Sequence, residues 1–383
     1  MRITFLTGGL EPAADGVGDY SRLLAMECAR RGVACQLVAL ADPHVRSVTS
    51  HREFGVDSVR LPHDMPWRAR LEALGRTLAS FRPEWSSLQF VPYSFQRWGI
   101  PWQLVQGLAP AVAPSRRHLM LHEIWIKGSG SWRTRLISSW QKRCVVSLCR
   151  ARGALVHTSN RTYQRQLSHE RISVRRLPLF GSIPVLGISG LPWLAPALAS
   201  AGCNAASDRE QWWLFVFFGT LHPVWPAEPL FSRLQAAAVI VRKRVAIVSV
   251  GRLGSGESLW TGLQQAHGDR IPMVQLGQQS VERISSVLNA ADFGIATTPY
   301  ALLDKSATVA AMFEHGLPVI VNREDGFPAT EDSLDADERS QVLRLDPGFE
   351  QRLAAAGRRP PQSRLPSVAQ QFLADLSAAS VEP

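Results

Sequence analysis

A chain of 383 residues with 45% hydrophobic content is too long for one ordinary core and reads as two domains of somewhat under 200 residues each. It contains no uncharged apolar run of about 18 residues, and the opening MRITFLTGGLEP turns polar too early for a secretory leader, so a cytoplasmic protein is expected. Residues 1–180 carry 26 Lys+Arg against 12 Asp+Glu, a balance of +14, whereas the rest carries 16 against 20, a balance of −4. The first half therefore either faces an anionic partner, such as a membrane surface or a lipid-linked phosphate, or carries a solvated basic surface without a partner. Nucleic acid is not expected, because the arginines are dispersed, tyrosines number only four and no recognition motif occurs.

Five cysteines, an odd number without C-x-x-C spacing, read as reduced core thiols. In chain order, the apolar run Arg2 to Thr7 ends in Gly8-Gly9, an amphipathic stretch follows from about Val17 to Arg31, and Ala34 to Leu40 is apolar again. That is a β-α-β unit. Further strands are expected at Ser86–Phe90, His118–His122 and Ala154–His157, with helices near 66–80, 131–150 and 160–168. Residues 181–209, rich in Leu, Pro, Gly, Ala and Ser, lack periodicity and read as an interdomain linker.

The second domain, 210–360, repeats the alternation. Its strands are expected at Trp213–Phe218, Val245–Val250, Met273–Leu276, Phe293–Ala296 and Pro318–Val321, with helices near 227–240, 257–266, 280–290 and 305–315. Residues 361–383 end in a helix, Ser367 to Ala379, expected to pack back on the first domain, 1–180. The pattern predicts two doubly wound, Rossmann-like α/β domains facing each other across a cleft.

In such sheets ligands bind at the carboxyl ends of strands, so four loops carry the candidate chemistry. In the first, Gly16 and Gly18 open a helix whose backbone N–H groups suit an anion, and Asp19 either caps that helix or meets substrate. The dinucleotide fingerprint is broken, since Ser21 stands where its third glycine would be. The second delivers His122 and Glu123, a pair able to bind sugar hydroxyls or move a proton near neutrality, or else a strand-end histidine satisfied by its neighbours. The third holds Gly219, Thr220 and His222, with Arg252 among glycines after the next strand. The fourth runs from Thr297 into a helix that ends at Glu314-His315-Gly316. There Lys305, Ser306, Ala307 and Thr308 combine a cation, hydroxyls and helix-start amides that suit a diphosphate, while Asp304 as an ordinary cap is the alternative.

With these loops in order the chain resembles the GT-B glycosyltransferases, specifically the large retaining group that includes bacterial polysaccharide and lipid-sugar transferases. The likeness rests on Gly16-Val17-Gly18-Asp19-Tyr20, His122-Glu123, Asn160, Gly219, the run from Ile284 to Asp292 and Gly294, and Glu314-His315-Gly316-Leu317-Pro318-Val319. It implies a nucleotide-diphosphate sugar held mostly by the second domain and an acceptor held mostly by the first, with Asp19 and Tyr20 on the acceptor side. His122 would lie near the transferred sugar, Gly277 and the Gln278–Ser280 loop near the base, and Lys305–Thr308 near the ribose and diphosphate. The acceptor would be a sugar, a lipid-linked sugar or a small molecule, as in polysaccharide biosynthesis.

Departures from that pattern are specific. Thr220 and Trp225 stand where the family usually has Arg and Lys, and Leu303 and Ala311 stand where it has two glutamates eight apart. Lys305, with Arg252, is expected to supply the missing positive charge, and domain closure to exclude water from the anomeric carbon. No carboxylate cluster flanks these loops, so neither metal nor cofactor is expected. A hydrolysing nucleotide-sugar epimerase on the same scaffold and a non-catalytic sugar-nucleotide binder are the competing classes. Residues 131–152, with Trp132, Leu136, Trp140 and Val145 beside Arg133, Arg135, Lys142, Arg143, Arg150 and Arg152, read either as a membrane-facing helix or as a packed helix with a solvated basic face.

Overall fold

The computed structural model describes residues 1–53, 55–126, 131–151, 153–324 and 334–381. The chain forms two units, Met1–Pro178 with Leu365–Pro383, and Leu179–Arg364. In chain order the first holds β1 (Arg2–Thr7), α1 (Gly16–Arg30), β2 (Ala34–Asp42), β3 (Thr49–Glu53), β4 (Val56–Pro62), α2 (Trp67–Phe81), β5 (Trp85–Phe90), α3 (Pro92–Phe95), α4 (Trp102–Val112), β6 (Arg116–Leu121), α5 (Trp132–Cys149), β7 (Ala154–Thr158), α6 (Arg161–His169) and β8 (Arg175–Arg176). Its sheet runs β3-β4-β2-β1-β5-β6-β7-β8, and only β3 is antiparallel to its neighbour. From β1 the chain moves outward through β2, then returns to place β5 on the other side of β1. The strand order therefore reverses between β1 and β5, where open α/β sheets bind ligands.

The second unit holds α7 (Leu191–Ser200), β9 (Trp212–Phe218), α8 (Glu228–Ile240), β10 (Arg244–Val250), α9 (Glu257–His267), β11 (Met273–Gln275), α10 (Val281–Ala290), β12 (Phe293–Ala296), α11 (Ala307–Glu314), β13 (Val319–Val321), α12 (Ala336–Ser340), β14 (Val342–Arg344) and α13 (Phe349–Ala355). All pairings in its sheet, β11-β10-β9-β12-β13-β14, are parallel. Here the order reverses between β9 and β12. The strands are almost continuously apolar, as sheets covered on both faces require: Trp212 to Phe217 are buried without a break. The last helix, α14 (Leu365–Val381), belongs to the first unit, where it lies against α1 and its Phe372 meets Phe5 and His118.

Several elements depart from the sequence reading. β3 is an edge strand of Thr, Ser, His, Arg and Glu, without the apolar alternation that would announce it. Helices α4 and α7 are absent from the expected elements, and each contains a proline, Pro110 and Pro196, a residue that ordinarily interrupts a helix. The segment 181–209, expected as a linker, contains α7, and its Leu194, Leu198, Cys203 and Ala205 are buried in the core of the second unit. His122 falls just beyond β6 rather than within it. All five cysteines are free and buried. Among the described residues no helix is long and apolar enough to cross a membrane.

Candidate functional site

In the first unit the loop after β1 is pinned from below. Asp42, fully buried at the end of β2, accepts from Leu10 N at 2.9 Å and from Arg60 Nε at 2.8 Å, and Arg60 reaches on to Glu11 at 2.7 Å. Those bonds hold the Asp42 carboxyl below its ordinary range against the opposing effect of burial. The α1 cap is Asp15, which accepts from Val17 N at 3.0 Å, so the alternative that assigned this role to Asp19 is corrected. Asp19 sits one turn in, paired with Arg22 and accepting from Ala13 N at 3.3 Å, and desolvation raises its pKa. Gly18 is needed for packing, because a Cβ there would lie 2.6 Å from the Gly9 carbonyl oxygen; Gly16 faces open space.

His122 and Glu123 leave β6 beside Phe90, whose carbonyl accepts from His122 N at 3.1 Å. The His122 ring lies edge-on to Tyr20, with centroids 4.7 Å apart, and Nε2 is 3.0 Å from Gln89 Oε1. Tyr20 is buried, so it supports His122 from beneath. Desolvation pushes the His122 pKa down to about 3, which keeps the ring neutral at pH 7. Neutral imidazole fits hydroxyl binding at pH 7.

A cavity of about 620 Å³ opens at the β1/β5 reversal, lined by Gly9, Ala14, Asp15, His63, Tyr93 and Arg97 among others. Sequence reading missed its 91–97 wall, since only the strand order shows that the loop after β5 faces the loop after β1. Gln141 of α5 organises that wall by donating to Tyr93 Oη and to the Trp98 carbonyl, each at 3.0 Å.

In the second unit the candidate loops converge at the β9/β12 reversal. Gly219 has φ +84°, and a Cβ on it would meet Thr308 Cγ2 at 3.0 Å; the adjacent Gly251 packs on the Gly219 backbone. Thr297 Oγ1 donates to the Thr220 carbonyl at 3.3 Å, and Gly251 N donates to the Gly277 carbonyl at 2.8 Å. Loops after four strands and the first turn of α11 are thereby drawn together. Ser306, not Asp304, caps α11: its Oγ accepts from Val309 N at 3.4 Å and lies 2.9 Å from Thr308 Oγ1. Ala307 and Thr308, at the first two helical positions, have N–H groups with no intrahelical acceptor. Lys305 closes the preceding 3-10 turn, Tyr300–Lys305, and Arg252 is exposed just after Gly251. Arg323, which sequence reading passed over, follows β13 and donates to the Thr297 carbonyl at 3.4 Å.

Other residues singled out from the sequence, Trp225 among the departures and Glu314, His315 and Asn160 among the likenesses, have partners within the scaffold. Trp225 is buried against Phe217 and bonds Asn322 Oδ1 at 2.5 Å. Glu314 accepts from Gly181 N at 2.8 Å, its pKa raised by burial to about 7, and His315 bridges Ser285 and the Ala311 carbonyl. Asn160 caps α6, accepting from Tyr163 N at 2.8 Å. Among the described residues no group of three His, Cys, Asp or Glu side chains could hold a metal ion.

Two Rossmann-like α/β units with their reversal points furnished in this way are the GT-B architecture. Solved structures carry the same fold over essentially the whole chain. Sucrose-phosphate synthase from Thermosynechococcus elongatus is 16% identical with a TM-score of 0.54, covering 99% of this chain and 100% of its own. HepE from Anabaena, in complex with UDP and glucose, is 14% identical with a TM-score of 0.52 and the same coverage. UDP-GlcNAc 2-epimerase from Neisseria meningitidis, bound to UDP-GlcNAc, is 9% identical with a TM-score of 0.53, again covering 99% and 100%. The neighbours are mainly glycosyltransferases, with UDP-GlcNAc 2-epimerases on the same fold. No protein-family model and no curated protein matches the chain.

Proposed function

We propose that the chain is a glycosyltransferase that takes a sugar from a nucleotide-diphosphate donor and passes it to an acceptor hydroxyl, in the synthesis of a glycan, a glycolipid or a glycosylated metabolite. The observation that carries this reading is the convergence at the β9/β12 reversal of Gly219, Thr220, Ser306 and Thr308 with the amide-rich start of α11. Glycine at 219 keeps that surface low enough for a phosphate to approach backbone, and the helix start stabilises its charge. Lys305, with Arg252, supplies the cationic charge for the departing diphosphate, and Gly277 borders the base. In the first unit the acceptor occupies the cavity beside Gly9 and Asp15, with Asp19, one turn along α1, on the acceptor side and Glu123 beside His122, which binds a sugar hydroxyl as a neutral ring. Neighbours in complex with UDP or ADP make uridine and adenosine donors the first to test.

The experiment is a thermal-shift series with UDP, GDP, ADP and their sugars, repeated on Lys305→Ala. Ligand at 100 times its Kd should stabilise the folded chain by about 2.7 kcal/mol, and Lys305→Ala should weaken the diphosphates at least about tenfold while sparing free nucleosides. No shift with any nucleotide diphosphate would sink the reading. A second reading, a hydrolysing epimerase, is favoured by the epimerases among the structural neighbours. Donor consumption that needs no acceptor would select it.

A further inference from the structure

One face of the first unit's sheet carries a run of polar side chains where an apolar lining would be cheaper. Ser87 and Gln89 project from the same side of β5, and Ser87 is the register partner of His118 on β6. His118, His157, Ser87 and Gln89 are all buried to within 1%. From His122 the contacts run without a gap: His122 Nε2 to Gln89 Oε1 at 3.0 Å, Gln89 Nε2 to Ser87 Oγ at 2.8 Å, Ser87 Oγ to His118 Nδ1 at 2.7 Å, His118 Nε2 to His157 Nδ1 at 2.8 Å, and His157 Nε2 to Asp375 Oδ2 at 3.0 Å. Asp375 stands on α14, and its other oxygen accepts from Arg175 Nη1 at 3.0 Å.

With Asp375, ion-paired to Arg175, as a carboxylate and every ring neutral, the chain has one polarity. A carboxylate only accepts, so His157 presents Nε2–H to it and offers Nδ1 as acceptor. His118 then donates from Nε2 and accepts at Nδ1 from the Ser87 hydroxyl. Ser87, its proton committed, accepts from the Gln89 amide, and the Gln89 carbonyl accepts from His122. Every donor points toward Asp375 and every member from Gln89 to Asp375 has its partner, which is the condition under which a buried polar network is tolerated. The reverse polarity needs a doubly protonated His157 inside the sheet. Desolvation opposes that charge, as does Arg175, which already neutralises Asp375.

We propose that Gln89, held through Ser87, His118 and His157 by Asp375, is a positioning residue that fixes His122 as its Nε2–H tautomer and leaves Nδ1 as an acceptor for a ligand hydroxyl. The ligand half of this statement rests on the sugar-transfer reading above; the tautomer half does not. The amide of Gln89 interrupts any proton relay, so the chain orients His122 rather than supplying it with protons.

The test is side-chain nitrogen NMR on the histidine-labelled full chain without ligand at pH 7, with His122→Gln used for assignment. His122, His118 and His157 are expected as neutral Nε2–H rings. His122 as the Nδ1–H form, or His157 as an imidazolium, would overturn the proposal. In Gln89→Leu the His122 signal should split between tautomers, and kcat should fall about tenfold, the size of one ordinary hydrogen bond, with donor KM within about twofold. Asp375→Asn, whose carbonyl still accepts, should keep the His122 tautomer. An unchanged His122 tautomer in Gln89→Leu would also overturn the proposal. If that variant does not fold, the wild-type spectrum decides alone, and because no turnover enters that spectrum it is independent of whether sugar transfer is found.

Discussion

His122 stands just past β6, half-buried, with its ring edge-on to Tyr20 and its Nε2 on Gln89. Its pKa is driven by desolvation from an ordinary 6.5 to about 3, and the same effect lowers those of His118, His157 and His315. Above pH 6.5 these rings are neutral in both folded and unfolded chains and add nothing to the pH dependence. As pH falls through 6.5 the unfolded chain takes up protons that the folded one refuses, so folding loses. For His122 alone that loss between pH 7 and 5 is about 2 kcal/mol. Glu314 acts oppositely: burial raises its carboxyl to about 7, so the folded chain takes up a proton first and gains a similar amount over the same interval. One glutamate is outweighed by four histidines. The urea midpoint should therefore drop between pH 7 and pH 5, and His122→Gln should remove part of the drop. A midpoint that rose over that interval would show that the buried rings are not neutral.

At the scale of elements, the junction of the loop after β9 with α11 is the most constrained part of the candidate donor site. Gly219→Ala would place a Cβ 3.0 Å from Thr308 Cγ2 at a φ of +84°, so the substitution meets backbone strain and crowding together. We expect a stability loss of about 1–3 kcal/mol and a larger proportional loss of nucleotide-diphosphate affinity, read by denaturation and by titration calorimetry. Unchanged affinity would remove Gly219 from the site. This junction was partly legible in the sequence, because apolar strands ending in glycine announce strand–loop–helix units and so mark loop positions. What stayed hidden depends on strand order. The 91–97 loop became part of a cavity only because β5 lies beside β1, and Arg323 joined the second site only because β13 lies beside β12. Ser87, Gln89, His118 and His157 looked like polar interruptions of strands, and only the register between β5, β6 and β7 brings them together.

Across the whole molecule the charge is lopsided, and α5 shows where it meets apolar surface. Trp132, Leu136 and Trp140 recur every four residues on its exposed side, with Trp132 70% accessible, and guanidinium groups of Arg133 and Arg143 lie over the two indoles at 5.5 and 4.9 Å. Gln141, Cys144, Val145 and Leu148 fill the opposite side, so Val145 belongs to the core and not to the apolar stripe expected from sequence; Arg152 lies outside the described residues. Trp140 also lies edge-on to Trp102, with centroids 6.4 Å apart, while Trp132 stands in solvent beside Arg133. That arrangement suits an interface where rings enter the headgroup layer and arginines meet phosphate, each basic residue adding about 1 kcal/mol near an anionic surface. Sedimentation with vesicles containing anionic lipid at low salt should therefore carry the protein down, release it as salt shortens the screening length, and fail on neutral vesicles. Replacing Trp132 and Trp140 with serine should weaken binding without altering the fold, because neither ring is in the core. Absence of binding at low salt would leave the basic half with a solvated face and return the acceptor to the soluble sugars.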